Sequence, residues 1–124
     1  MAEAIFNDMA EKNGVCVRAE SFGIATSTGL PVSENSVIAC KEIGIDLSGK
    51  ASTAVADAGI GKYEKFYCMS QSHAKMLMQF FLVQPEKIAV LGISDPYGGD
   101  IEVYRHCRDE IVNSVKEILK AYEN

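Results

Sequence analysis

The 124-residue chain has no tryptophan, only three prolines and two histidines, and no excess of positive charge. Its 17 acidic residues outnumber its 12 basic ones, which leaves a formal net charge of −5. This balance argues against nucleic acid or an anionic membrane surface as the main partner. It also provides no general attraction for a phosphorylated ligand, so any anion site must be built locally.

Long hydrophobic runs are also absent. The longest nearly apolar stretch, Met76 to Val83, is interrupted by Gln79 and is far too short to cross a bilayer. The first residues include Glu3 and Asp8 and carry no early Lys or Arg, unlike a secretory signal. We therefore expect a cytoplasmic protein whose cysteines are free thiols.

The four cysteines lack the spacing of a metal site. Cys16, Cys40, Cys68 and Cys107 are widely separated, and no two of them form a Cys-x2-Cys pair. Because structural zinc sites usually draw on such pairs, we expect no zinc site. No other metal and no cofactor is predicted.

Apolar spacing predicts a single domain over residues 1–124 in which helices alternate with strands. Helical spacing covers residues 1–13, 33–43, a weak segment at 54–58, a stripe at 76–81 predicted to be core, and 104–122. Strand patterns cover residues 15–19, 66–69 and 87–91. This alternation is typical of an α/β domain with a mainly parallel sheet, whose working site lies beyond the carboxyl ends of the strands.

One loop stands at that expected edge. Asp95 follows the last predicted strand, and Pro96 favours extended geometry for Asp95 while fixing its own φ. Gly98 and Gly99 allow a tight turn before the final helix. A carboxyl group held on such a loop can deliver a proton to a substrate.

The run Asp95-Pro96-Tyr97-Gly98-Gly99 resembles the general-acid loop of the low-molecular-weight protein tyrosine phosphatases. Further family-like elements occur in the same order and spacing, and they are Ser21-Phe22-Gly23, Gly29-Leu30-Pro31, Gly44-Ile45-Asp46-Leu47-Ser48 and Tyr67-Cys68-Met69-Ser70, with His73 just beyond. The resemblance runs over nearly the whole chain. It implies a three-layer α/β/α fold with a small, mainly parallel sheet.

By this resemblance Asp95 is the catalytic acid that protonates the leaving group, and then the base for the water that hydrolyses a cysteinyl-phosphate. Tyr97 is a wall of the substrate cleft. The implied substrate of a full-length parent is a phosphorylated protein or a small phosphate ester, without a metal. The family's nucleophile is a thiolate in a Cys-x5-Arg loop, where helix and backbone amides lower its pKa and the Arg clamps the phosphate.

The sequence departs from this pattern at its nucleophile. In the family the Cys-x5-Arg loop precedes the first helix, and here residue 1 already belongs to that helix. No cysteine in the 124 residues is followed by arginine six positions later, and Cys107 lies in the apolar stripe of the final helix, where core packing is expected. Where the family often has a His after the position of Ser48, the sequence reads Gly49-Lys50.

We therefore predict that this chain is inactive alone. One alternative is a non-catalytic module that binds a partner, or itself, through the sheet. Another is an arsenate reductase-like activity, which needs a nucleophilic and a resolving thiol.

The same departure affects the sheet, because in the family the strand before the loop is the central one. Without it, the strands at 15–19 and 66–69 have no shared partner, and unpaired buried backbone groups each cost about 1–3 kcal/mol. The sheet is then expected to close by new pairing, or two chains to exchange elements as a homo-oligomer. The third expectation is a reading frame whose start lies upstream.

Overall fold

The computed structural model describes residues 1–22, 33–47 and 60–122. The helices are α1 (Ala2–Lys12), α2 (Glu34–Lys41), α3 (Gln71–Phe80) and α4 (Ile101–Lys120). The strands are β1 (Phe66–Cys68) and β2 (Ile88–Val90), and single turns of 3₁₀ helix cover Ile60–Lys62 and Pro85–Lys87. The weak helix predicted at 54–58 and the Gly29-Leu30-Pro31 element lie outside the described residues.

Short polar side chains begin three of the helices. Ser33, Ser70 and Asp100 precede α2, α3 and α4, and each side-chain oxygen accepts a hydrogen bond from the backbone N–H three residues later, at 3.3, 3.4 and 3.1 Å. Such caps satisfy backbone donors that have no partner within the helix. Gly14 and Gly44, with φ of +70° and +80°, follow α1 and α2, directly after the helical spacing predicted over residues 1–13 and 33–43.

The sheet consists of β1 and β2, which run parallel with Phe66 opposite Ile88. Backbone pairing continues past the ladder, where the Ile93 N–H donates to the Met69 carbonyl at 3.0 Å. The prediction of an α/β fold with a parallel sheet is confirmed. Parallel pairing aligns the carboxyl ends of both strands, and the segment after β2 carries Asp95.

The strand predicted at 15–19 forms no ladder in the described part of the chain. Its side chains keep the alternation of a strand, since Val15, Val17 and Ala19 are partly buried while Cys16 and Arg18 are exposed. A ladder needs a second backbone about 4.8 Å away. No described strand lies there, so the expectation that the sheet closes by pairing this segment is wrong.

Two apolar clusters hold the molecule together. The larger lies between α1, α2 and α4 and includes the fully buried Ile5, Cys40 and Leu119. The smaller joins β1 to α3, with Leu77 at its centre. The stripe predicted as core on α3 is only partly so, because Phe80 is 70% exposed at the end of the helix.

Candidate active site

A cleft of about 380 Å³ opens at the carboxyl ends of β1 and β2. The floor is apolar, formed by Met69, Ile93 and Ile111, and the rim carries polar groups from Ser36, His73, Ser94 and Asp95. The position agrees with the expectation that an α/β domain places its site beyond the strand ends.

All four helices contribute residues of their first turn to this cleft. These residues are Ala2 of α1, Ser36 of α2, His73 of α3 and Tyr104 of α4. The N-terminal end of a helix carries a partial positive charge and backbone N–H groups without helical partners. Four such ends around one cleft favour an anion there, although the protein as a whole is acidic.

Asp95 and Tyr97 both line the cleft, as their shared loop predicts. The backbone N–H of Tyr97 donates to Oδ1 of Asp95 at 2.9 Å, which closes a small turn and leaves the second carboxylate oxygen available. Asp95 is exposed, and Tyr97 is 86% exposed on the rim. The structure therefore holds a carboxyl group and an aromatic ring side by side on one wall.

The loop that carries Asp95 and Tyr97 has a backbone conformation that restricts the residue type at two positions. Gly98 has a φ of +81°, a conformation that disfavours any other residue type. A Cβ on Gly99 would lie 2.8 Å from the Val103 side chain and 3.0 Å from the Pro96 carbonyl oxygen. The loop between Asp95 and α4 therefore favours glycine at both positions.

All cysteines and arginines of the sequence fall within the described residues. Cys107 lines the cleft, but it is buried, and burial raises the pKa of its thiol, with smaller contributions from the charges of Glu110 and Asp95. Burial likewise raises the pKa of Cys40 and Cys68. These thiols stay protonated at neutral pH, and a protonated thiol is a poor nucleophile.

The arginines of α4 are engaged elsewhere. Arg105 Nη2 and Arg108 Nη1 each lie 2.7 Å from a carboxylate oxygen of Glu42, and Arg108 also donates to the Ala39 carbonyl at 3.0 Å. These contacts join α4 to the end of α2. Neither guanidinium borders the cleft, and Arg18 is not among its lining residues.

Sequence reasoning misses part of this arrangement. In the sequence His73 is noted only as lying just beyond Tyr67-Cys68-Met69-Ser70, and Ser36 carries no functional signal, yet both border the cleft with Asp95. Their positions at the starts of α2 and α3 are the available signal, since helices of a parallel α/β domain begin at the carboxyl edge of the sheet. Within the described residues, no group of three His, Cys, Asp or Glu side chains could hold a metal ion.

Comparison with known proteins decides the family. A sequence profile described as "Low molecular weight phosphotyrosine protein phosphatase" matches residues 1–124. The chain belongs to the low molecular weight phosphotyrosine protein phosphatase family. In the part of this phosphatase-family chain that the structure describes, no helix is both long and apolar enough to span a membrane.

Relatives within the family share both sequence and structure with this chain. A protein-arginine-phosphatase of Bacillus subtilis (strain 168) is 26% identical over 129 residues, which cover 97% of this chain and 85% of the relative. The low molecular weight protein tyrosine phosphatase of T. tengcongensis superposes with a TM-score of 0.90 at 26% identity, covering 97% and 88% of the two chains. The arginine phosphatase YwlE, solved as a mutant with a phosphorylated active-site serine, gives 0.90 at 25% identity, covering 97% and 84%.

Proposed function

We propose that this chain carries the acid-bearing part of a protein phosphatase site, with Asp95 as the proton donor and Tyr97 as a wall of the substrate cleft. The observation behind this proposal is the shared cleft, in which Asp95 and Tyr97 face the N-terminal ends of four helices. That arrangement suits a dianionic phosphoryl group beside a proton donor. The substrate class is a phosphorylated protein side chain, and the named relatives make phosphoarginine a candidate beside phosphotyrosine.

The role of Asp95 follows from the leaving group. When a thiolate attacks phosphorus, the bond to the phenolic oxygen of tyrosine or to the guanidinium nitrogen of arginine breaks. The departing atom takes up an electron pair, and a proton from Asp95 neutralises it. The resulting carboxylate then accepts a proton from the water that attacks the phosphorylated cysteine, which returns both groups to their starting states.

The 124 residues do not contain the thiolate that this reaction needs. Cys40, Cys68 and Cys107 are buried with a raised pKa, and the exposed Cys16 does not line the cleft. Arg105 and Arg108 are bound to Glu42, and Arg18 does not line the cleft either. General acid catalysis alone contributes about 10²–10⁴-fold, against the 10⁶-fold or more that enzymes supply. We therefore propose that this chain by itself does not hydrolyse phosphate esters.

The first experiment uses the chain as it stands. We expect no turnover of p-nitrophenyl phosphate, phenyl phosphate or a phosphoarginine-containing protein. Turnover that is abolished by Asp95→Asn would contradict the proposed inactivity while supporting the role of Asp95.

The second experiment supplies the missing chemistry. A strand and a Cys-x5-Arg loop are fused ahead of Met1, and the fusion is expected to hydrolyse aryl phosphates. Asp95→Asn should lower kcat for phenyl phosphate by about 10²–10⁴-fold, and less for p-nitrophenyl phosphate, whose phenolate leaves with less help. Asp100→Asn is the matched control, because Asp100 caps α4 from the same loop and asparagine caps equally well. An active fusion that is indifferent to Asp95→Asn would disprove the assigned role.

Two other functions for this chain are supported by the structure to different extents. An arsenate reductase-like activity needs a reactive thiol and a resolving thiol, and three of the four thiols are buried. A non-catalytic binding module is better supported, because the segment at 15–19 forms no ladder with any described strand. The four free thiols suit a reducing compartment, so we propose the cytoplasm as the site of action.

A further inference from the structure

A second depression, of about 490 Å³, lies beside the cleft that holds Asp95. We call it the outer groove, and residues 69–71 and 90–94 line it. Met69, Ile93 and Ser94 line both the cleft and the outer groove, so the two are continuous. Backbone pairing holds this shared wall, since the Ile93 N–H donates to the Met69 carbonyl at 3.0 Å. A ligand too long for the cleft can therefore extend into the outer groove.

The outer groove carries no charge. Its apolar part comes from Met69, Val90 and Leu91, which are partly exposed, and Gln71 and Ser94 stand exposed on its rim. None of its lining side chains is charged, although 23% of the sequence is. A charged side chain entering the groove would lose hydration without gaining an ionic partner. The lining therefore favours an uncharged side chain, and most of all an apolar one.

Gly92 leaves room for the backbone of a bound peptide. Its φ is +69°, and nothing lies within 4 Å of the position that a Cβ would take. The N–H groups of Gly92 and Ser94 have no backbone acceptor among the described residues. Such donors beside open space can bond the carbonyl groups of an extended peptide.

The side-chain alternation of an extended polypeptide matches these two adjoining depressions. Residues two positions apart direct their side chains to the same face, about 7 Å from each other, and the residue between them points away. When a phosphorylated side chain enters the cleft, the side chain two positions along the peptide faces the same protein surface. The depression next to the cleft therefore suits that second residue and not the adjacent one.

We propose that the outer groove binds an uncharged, preferably apolar side chain two positions from the phosphorylated residue of a substrate polypeptide. The inference rests on the proposed function, because the phosphoryl group anchors the peptide in the cleft. It adds a preference among phosphorylated polypeptides for those with a residue such as Leu, Val or Met at the second position. Free phosphorylated amino acids and small phosphate esters cannot make this contact.

The test measures peptide binding to the full chain by NMR and requires no turnover. The probes are pentapeptides X-Ala-Z-Ala-X, in which Z is phosphonomethyl-phenylalanine, a non-hydrolysable analogue of phosphotyrosine, and X is Leu, Gly, Glu or Lys. Placing X on both sides covers both chain directions. We expect the Leu peptide to shift the amide signals of Gln71, Gly92 and Tyr97, and to bind about fivefold to tenfold more tightly than the Gly peptide. The Lys peptide is the control for general attraction to a protein of net charge −5.

A pair of charge variants checks the position of the groove. Gln71→Lys places a positive charge on the rim and should raise the affinity for the Glu peptide by about twofold to fivefold, as an exposed ion pair does. Gln79→Lys is the matched control, because it adds the same charge at another exposed glutamine of α3, about 12 Å further along the helix. Equal gains in both variants would place the second residue outside the groove and overturn the proposal.

The peptide series separates failure of the groove from failure of the proposed function. Equal affinities of the Leu and Gly peptides, with Tyr97 shifted by both, would overturn the groove and leave the proposed function standing. Shifts at Gln71 and Gly92 without one at Tyr97 would contradict the cleft as the phosphoryl site, and the inference with it. Tightest binding by the Lys peptide would mean general attraction in place of a specific contact. No response to any peptide at millimolar concentration would overturn both proposals.

Discussion

The side-chain amide of Asn7 pairs with the backbone of Ala19 as a neighbouring strand would. The Ala19 N–H donates to Asn7 Oδ1 at 2.8 Å, and Asn7 Nδ2 donates to the Ala19 carbonyl at 2.9 Å. The contact joins α1 to a segment 12 positions later that no described strand supports. In this structure, one amide group from a helix satisfies backbone groups that a ladder would otherwise bond.

Replacing Asn7 should therefore destabilise the fold. Asn7→Ala leaves a part-buried N–H and C=O of Ala19 without partners, and we expect a loss of about 1–3 kcal/mol in the free energy of unfolding. Urea denaturation measures it as a lower midpoint with an unchanged slope. Glu11→Ala, on the exposed side of α1, should change stability by less than about 0.5 kcal/mol. Equal effects of both substitutions would mean that the amide pairing contributes nothing.

The loop that holds Asp95 depends on Gly99. In Gly99→Ala the new Cβ would meet Val103 at 2.8 Å, at the start of α4. Overpacking of this kind costs about 1–3 kcal/mol, and we expect a fall of that size in urea denaturation. Gly61→Ala is the matched control, because nothing lies within 4 Å of its Cβ position. A Gly99→Ala protein as stable as the control would show that the loop adapts freely.

Leu82 has a φ of +56° and is 83% exposed just after α3. A left-handed conformation costs a residue with a Cβ about 1–2 kcal/mol. Glycine avoids this strain, but part of the gain is offset because the unfolded chain with glycine has more conformational entropy to lose on folding. We expect Leu82→Gly to raise the free energy of unfolding by about 0.5–1 kcal/mol. Leu82→Ala removes the same exposed surface but keeps the Cβ, so it should leave thermal stability unchanged. The idea fails if alanine stabilises as much as glycine.

Glu42 links α2 to α4, and its pKa lies below the usual range, chiefly because Arg105 donates hydrogen bonds to it. A carboxyl group whose pKa is lowered by folding stabilises the protein above its unfolded pKa, and the effect disappears as the pH falls through the folded value. We expect Glu42→Gln to lower the melting temperature at neutral pH. The difference from the parent should shrink below about pH 4.

A surface pair provides the control for this pH dependence. Glu117 contacts Lys120 at the exposed end of α4, at 2.9 Å. Glu117→Gln should have little effect at any pH, since exposed pairs of this kind contribute little. A difference between Glu42→Gln and the parent that stays constant from neutral to acidic pH would contradict the assigned linkage.

Thiol reactivity checks the nucleophile argument directly. Cys16 is exposed, whereas Cys40, Cys68 and Cys107 are buried with a raised pKa. We expect iodoacetamide at neutral pH to label one thiol per native chain and all four after unfolding, as read by mass spectrometry. Cys16→Ser should leave the native protein unlabelled. Rapid labelling of Cys107 in that variant would reveal a reactive thiol inside the cleft and reopen the question of activity.

Some features of this protein follow from short stretches of sequence. Helices form hydrogen bonds between residues four apart, so local spacing and local stop signals are enough to predict α1, α2 and α4 and the turns at Gly14 and Gly44. The Asp-Pro-Tyr-Gly-Gly loop is equally local, because proline and glycine set its backbone without help from distant residues. Hence the order of residues along the chain suffices to place Asp95 and Tyr97 beyond a strand end, where the cleft lies.

Three other features were decided by tertiary structure alone, because each of them depends on residues that are distant in sequence. Residues 15–19 have the alternation of a strand, but pairing needs a second backbone, and Asn7 meets Ala19 instead. Phe80 matches a core stripe, but it is the last residue of α3 and its side chain is mostly exposed. Ser36 and His73 join Asp95 only because parallel strands and their following helices gather at one edge.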